Sequence, residues 1–409
     1  MNERLSKFFI SNSAHPCTEI ILDVNKIRSF YLANGWEETQ NPQEADDLII
    51  STCAYNQHYE VSAVEDIRLR KLQLKNGARL IVAGCLSKIN PELFDELKVS
   101  ERIAPLELSK FDDLLKAKKS IESITVNKVD IDDYKANPLF YKVVKAKEKL
   151  EKLSGKLGMN LVPNWMATFP TSRWFVIRGS TGCMGTCTYC AVRKAKGKLK
   201  SVLPELIIDQ VESAIKQGFS EISLAGDDMG AWGVDLGSNL AEVLPKILAV
   251  SPLVRVNLRF VEPKYLIGLI DKLIPIFETG RISAFCVPIQ SGSDKILRKM
   301  GRDYGILQLE EVLKRIAGLP CPPKLASIIM VGFPGETKDD LELSSELIDR
   351  LPVDFFQILP YEGRPNTPSL NFPDQIPEDE KKRRHDKLLR KFKLRKIVHL
   401  PSWVVEKIC

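Results

Sequence analysis

Short apolar runs alternate with helix-length amphipathic stretches along most of the chain, and that rhythm leaves few folds open. In residues 1–125 the runs are "KFFISN", "DDLIIST" and "RLIVAG". They are separated by "VNKIRSFYLANGW" and "SAVEDIRLRKLQLKNG" and followed by "NPELFDELK". Strands spaced by whole helices pair in parallel through crossovers, so this half predicts an open parallel α/β sheet. Its strand ends carry cysteines: Cys17 follows the first strand, Cys53 closes "IISTC" and Cys85 closes "IVAGC". The carboxyl ends of parallel strands line one crevice, so these three residues are expected to converge.

From 126 to 170 the alternation weakens into the Lys-rich "YKVVKAKEKLEKLSGKLG" and a Pro-containing connection, read as a linker. It resumes over 171–375 as "RWFVIRG", "EISLAG", "RVNLRF", "SAFCVPI", "KLASIIMVGF" and "DFFQILP". Six strands are too few for a closed eight-fold barrel, so a partial (βα)6 barrel is predicted, with its functional loops at the strand C-terminal ends. Residues 376–409 read as a basic amphipathic helix and tail. Lys381–Lys396 holds ten Lys or Arg and one acid, Asp386, while Leu388, Leu389, Phe392 and Ile397 recur near helical spacing. That run could bind phosphates, but a helix packed on the barrel explains it more simply.

A length of 409 residues suits two domains. The chain has no eighteen-residue apolar run and no signal-peptide core, so no membrane span and a cytoplasmic location are expected. Nine cysteines in a reducing compartment point to metal or cluster ligation rather than a disulfide framework. His15, His58, His385 and His399 are scattered, which disfavours a histidine-based metal site. The net charge of +6 permits an anionic partner without requiring one.

The loop "GSTGCMGTCTYC" leaves the first barrel strand with Cys183, Cys187 and Cys190. Structural zinc takes four ligands, and the next cysteine, Cys286, lies on another strand. Three thiolates suit a 4Fe–4S cluster whose fourth iron stays open to a substrate or cofactor. A partial zinc site or a set of reactive thiols is the alternative. Gly182 and Gly185 allow a compact loop, and the Tyr189 ring can lie against a planar group at the open iron. In "GFPGET" a strand turns into a helix begun by Thr337, and in "QSGSD" Ser293 or Asp294 can cap a helix.

The Cx3Cx2C loop, with an aromatic before its last cysteine, resembles the signature of the radical-SAM superfamily. "ADDLIISTC", "RLIVAGCLSK", "SLAGDDMGAWGVD", "LRFVEP", "VPIQSGSDKILRKMGRDY", "MVGFPGETKDDL" and "PYEGRPNTPS" follow in the order of its methylthiotransferase branch. The resemblance implies an enzyme with two 4Fe–4S clusters. One would sit on Cys183, Cys187 and Cys190, and an auxiliary one on Cys17, Cys53 and Cys85. It also implies S-adenosylmethionine at the first cluster, contacted by Tyr189, Gly226, Asp227, Asp228, Gln290 and Ser291, and a reductant such as flavodoxin or ferredoxin. The chemistry implied is insertion of sulfur and a methyl group at an unactivated C–H bond.

Four departures surround the implied site: "CTEII" after the first cysteine, Cys286 in place of a histidine, Ser327 in place of an aspartate, and "KAKGKLKS" in place of an Arg-Gly stretch. The chain also ends at "VVEKIC" without the family's small TRAM barrel. A peptide, particularly a ribosomally made precursor, is therefore the expected substrate, acted on by a monomer. Transfer-RNA adenosine is the alternative substrate. Sulfur insertion without methylation is an alternative reaction, and a non-catalytic iron–sulfur or RNA-binding protein comes last. Cys286 is a candidate pocket thiol.

Overall fold

The computed structural model describes residues 5–12, 17–127, 129, 133, 138–157, 161–162, 166, 171 and 174–393; His15, Ile397 and His399 lie outside them. The first half builds β1 (Lys7–Asn12), β2 (Glu37–Glu38), β3 (Asp47–Thr52), β4 (Arg79–Gly84) and β5 (Glu101–Ile103). They form one parallel sheet in the order β2-β1-β3-β4-β5. The sequence reading found β1, β3 and β4 and missed the edge strands β2 and β5, which are too short for apolar alternation to register. β3 is buried along its whole length. Leu48 and Ile50 pack toward the helix Gln57–Leu72, and Ile49 packs toward the helix Thr18–Ala33, the two faces that a period of two demands. The chain thus leaves β1 to one face and β3 to the other. That divergence opens a crevice at the carboxyl ends of these neighbouring strands.

The second half places β6 (Trp174–Arg178) beside a short antiparallel hairpin, β7 (Ser180–Thr181) with β8 (Lys200–Ser201). It continues with β9 (Glu221–Ala225), β10 (Arg255–Leu258), β11 (Ile282–Gln290), β12 (Lys324–Val331) and β13 (Phe355–Pro360). The six long strands stand in sequential order, all parallel, with helices between them: the partial (βα)6 barrel expected. The β7–β8 hairpin was not anticipated, and it clamps the two ends of the cysteine loop together.

The helix Glu378–Lys393 lies on β12 and β13. Leu388 is fully buried in the barrel core, worth about 1.5–3 kcal/mol. Lys381, Arg384 and His385 also turn inward, and Arg384 Nη1 donates to the Glu336 carbonyl at 2.7 Å. Lys382, Arg383, Lys387 and Arg390 face solvent. The helix Pro138–Leu157 bridges the halves: its Val144 packs with Ile21 and Leu22 of the first and Val176 and Ala225 of the second. Among the described residues no strand of one sheet pairs with the other, and no helix is long and apolar enough to cross a membrane.

Candidate active site

The cysteine loop folds around Gly185. A Cβ there would press on Cys183 Sγ at 3.2 Å and touch Cys187 Sγ at 3.6 Å, so glycine leaves the thiols room to close on one side of the loop. The Gly185 amide donates to Cys183 Sγ at 3.1 Å, and the amides of Val192 and Arg193 point at Cys190. The loop is pinned to the barrel mouth: Thr188 N donates to Met300 O at 2.9 Å, and Ser369 N donates to Thr188 O at 3.0 Å. Burial pushes the Cys183 thiol up to about 12 and raises Cys187 and Cys190 as well. Such thiols stay protonated and inert unless a bound positive centre stabilises the thiolate and displaces the proton to solvent. Tyr189 packs its ring edge-on to Phe333, with centroids 6.4 Å apart, and leans on the barrel core.

Cys17, Cys53 and Cys85 gather at the carboxyl ends of β1, β3 and β4. Cys17 packs against the cluster containing Cys53, and Cys53 feels the charge of both other thiols. Burial raises all three, Cys85 to about 12, while the ammonium of Lys196 pulls each of them down. Among the described residues no three His, Cys, Asp or Glu side chains surround one point closely enough to hold a single metal ion. Thiolates on separate corners of a cube stand further apart than ligands of one ion.

A polar seam joins the segments that carry the two trios. Asp227 accepts the Gly182 amide, next to Cys183, at 2.8 Å. Its other oxygen lies 3.1 Å from Lys196 Nζ, which is 3.9 Å from Glu19 Oε2, two residues beyond Cys17. Arg178 completes the chain, 2.9 Å from Glu19 and 2.8 Å from Asp23. Burial raises Asp227, and Lys196 opposes that rise. The sequence reading named Asp227 but missed Lys196, Glu19 and Arg178; the rewritten stretch "KAKGKLKS" was the available signal.

Other named residues are placed as follows. Gly226 sits where a Cβ would lie 2.5 Å from Ser180 Oγ, so the turn after β9 can press on β7 only as glycine. Asp228 is buried, accepts the Glu262 amide at 3.2 Å, and is lifted to about 7 by burial and by Glu262. Gln290 ends β11 with φ 76°, and its buried Oε1 has no hydrogen-bond partner among the described residues. Ser291 turns its hydroxyl inward, accepting the Ser293 amide at 3.1 Å, and Ser293 rather than Asp294 caps the next helix. Cys286 is half-buried on β11, with its thiol pushed up to about 12 by burial. Arg302, missed by the sequence reading although "MGRDY" contains it, is buried against Glu262 and near Cys187, and its Nε also lacks a hydrogen-bond partner among the described residues. A buried orphan acceptor and a buried orphan donor at the barrel mouth fit a zwitterionic ligand carrying both amino and carboxylate groups.

Comparison with known proteins agrees with this geometry. Residues 177–348 match the radical SAM superfamily, and residues 12–103 match an uncharacterized protein family, UPF0004. A probable threonylcarbamoyladenosine tRNA methylthiotransferase of Pyrococcus horikoshii is 31% identical over 362 residues, covering 88% of this chain and 78% of that protein. The chain belongs to the radical-SAM methylthiotransferase family. A tRNA-2-methylthio-N(6)-dimethylallyladenosine synthase of Dictyoglomus thermophilum is 28% identical over 90% of this chain and 78% of its own. Among solved structures, the radical S-adenosylmethionine methyltransferase TsrM of Kitasatospora setae shares the fold, with TM-score 0.59 and 10% identity over 90% of this chain and 77% of that one. As a radical-SAM methylthiotransferase the protein is an enzyme that uses S-adenosylmethionine and two 4Fe–4S clusters. The expectation of a peptide substrate finds no counterpart in these relatives, both named for tRNA.

Proposed function

We propose that this radical-SAM methylthiotransferase acts on an adenosine of transfer RNA, the substrate class named for its relatives. In this reading Cys183, Cys187 and Cys190 hold the cluster that binds S-adenosylmethionine, and Cys17, Cys53 and Cys85 hold the auxiliary one. The observation that carries it is the seam of ion pairs from Asp227 through Lys196 to Glu19, which ties together the segments bearing two cysteine trios, each at the carboxyl ends of a parallel sheet. When bound, the cofactors supply a 5′-deoxyadenosyl radical to open a C–H bond, together with the sulfur and methyl group that fill it.

The protein's own part is to bind, orient and keep water out. Gln290 and Arg302 offer the unpaired acceptor and donor for the amino acid end of S-adenosylmethionine. Asp227 holds the cysteine loop by its Gly182 amide. Arg193, Lys194, Lys198 and Lys200 are exposed beside that loop and suit the phosphates of an RNA. The test is anaerobic reaction of reconstituted enzyme, S-adenosylmethionine, sulfide and reductant with unmodified transfer RNA, followed by mass spectrometry of the nucleosides. A methylthio-adenosine product is expected. A thiolated product without methyl would move the reading to plain sulfur insertion. Release of 5′-deoxyadenosine with the RNA unchanged, while a precursor peptide is modified, would overturn it.

A further inference from the structure

A lysine side chain with 4% of its surface exposed is unusual, because moving an ammonium out of water is costly unless fixed negative charge receives it. Lys196 sits on the short helix Val192–Lys196, which packs on the helix Leu86–Ile89 that starts directly after Cys85. Ala191 and Ala195 join the core around Cys85, so the helix is held against the N-terminal sheet by contacts independent of the lysine's charge. Charged groups face it from three sides: Asp227 at 3.1 Å from the barrel, Glu19 at 3.9 Å from the first helix, and the thiols of Cys17 and Cys85. Glu19 and Asp23 already share Arg178, at 2.9 and 2.8 Å. Asp227, Glu19 and Asp23 thus face Lys196 and Arg178, with Lys26 also close to Asp23 and Arg178.

We propose that Lys196 is the fixed counter-cation of the Cys17, Cys53 and Cys85 trio, raising the reduction potential of the cluster held there. The inference rests on the reading that this trio holds a 4Fe–4S cluster. Three thiolates on a dicationic cube carry one net negative charge, and the electron that reduces it makes two. An ammonium in a dry seam stabilises the second charge more than the first, so it favours uptake of that electron. Asp227 opposes this, since its carboxylate also acts on the Cys85 thiol. Lys196 is thus a positioning residue that acts through the cluster's charge; it touches no reacting atom.

The test uses the full chain carrying Cys183→Ala, Cys187→Ala and Cys190→Ala, reconstituted with iron and sulfide so that a single cluster remains. Its potential is read by a dithionite titration followed by electron paramagnetic resonance. Adding Lys196→Met is expected to disfavour one-electron reduction at least tenfold, a fall of about 59 mV or more. Lys196→Arg should keep the parent value, and Asp227→Asn should move the potential upward. If Lys196→Met fails to retain iron, the Asp227→Asn arm decides: an upward shift supports the proposal, and no shift overturns it. A Lys196→Met protein with its iron intact and its potential unchanged overturns the inference alone. A parent variant that binds no iron overturns the cluster assignment and the inference with it.

Discussion

Gln290 is held at φ 76°, a left-handed conformation that costs a residue with a Cβ roughly 1–2 kcal/mol, and its buried acceptor has no partner among the described residues. Both costs fall on one side chain at the mouth of the barrel, the pattern expected where a ligand repays the strain. Gln290→Gly should therefore leave stability unchanged or raise it by about 1 kcal/mol in thermal melting. The same change should weaken S-adenosylmethionine about tenfold in equilibrium dialysis, the loss of one hydrogen bond of about 1.4 kcal/mol. Unchanged affinity would remove Gln290 from the site. The residue was legible only through the motif around it, since nothing in the letters "VPIQSGS" reports backbone strain. Lys196 was illegible for a related reason: a lysine among lysines looks solvated until the fold buries it.

Among elements, the strand ends do most of the positioning. Gly84 closes β4 with φ 125°, and a Cβ there would come within 2.2 Å of Thr52 O on β3, one residue before both Cys53 and Cys85. Gly84→Ala must spread those two strands, at about 2 kcal/mol or more. Iron bound by the N-terminal trio should fall, while S-adenosylmethionine cleavage, read as 5′-deoxyadenosine, is retained. Loss of cleavage as well would mean the strands brace the barrel too. After β12, the turn "GFPGE" buries Glu336, whose carboxyl is raised to about 7 by burial against the pull of the Gly332 amide and Arg384. A carboxyl raised in the folded state gives stability that is complete below its ordinary 4.5 and drains as pH climbs through about 7. The melting temperature should decline between about pH 5 and pH 8, by no more than about 3 kcal/mol in stability, and Glu336→Gln should flatten that slope. At this scale the sequence was most readable: nine strands announced themselves by β-branched apolar runs. The exceptions, β2, β5 and the β7–β8 hairpin, are two or three residues long and owe their existence to neighbours rather than to their own composition.

For the whole molecule, the division of labour between the two trios makes the sharpest prediction. Replacing Cys183, Cys187 and Cys190 by Ala should abolish S-adenosylmethionine cleavage. Replacing Cys17, Cys53 and Cys85 should leave cleavage intact and stop sulfur transfer, measured as 5′-deoxyadenosine and modified nucleoside in the same reaction. Cleavage surviving in the first variant would reverse the assignment. The sequence placed Cys183, Cys187 and Cys190 in one loop and Cys17, Cys53 and Cys85 at the ends of separate strands. It did not show how the units are joined, because the joint consists of side chains drawn from distant segments: Glu19 and Asp23, Arg178, Lys196 and Asp227, with Arg364 against Glu60 at the far side.

Because no strand pairs across the two sheets among the described residues, the join resembles a cartridge seated in a socket more than a continuous weave. Apolar contacts, Ala191 and Ala195 in the core around Cys85 and Val144 packed with Leu22 and Val176, seat it together with a few matched charges. Redesigning those contacts as a set would let a different N-terminal half be docked onto the same barrel, with the strand pairing inside each sheet kept.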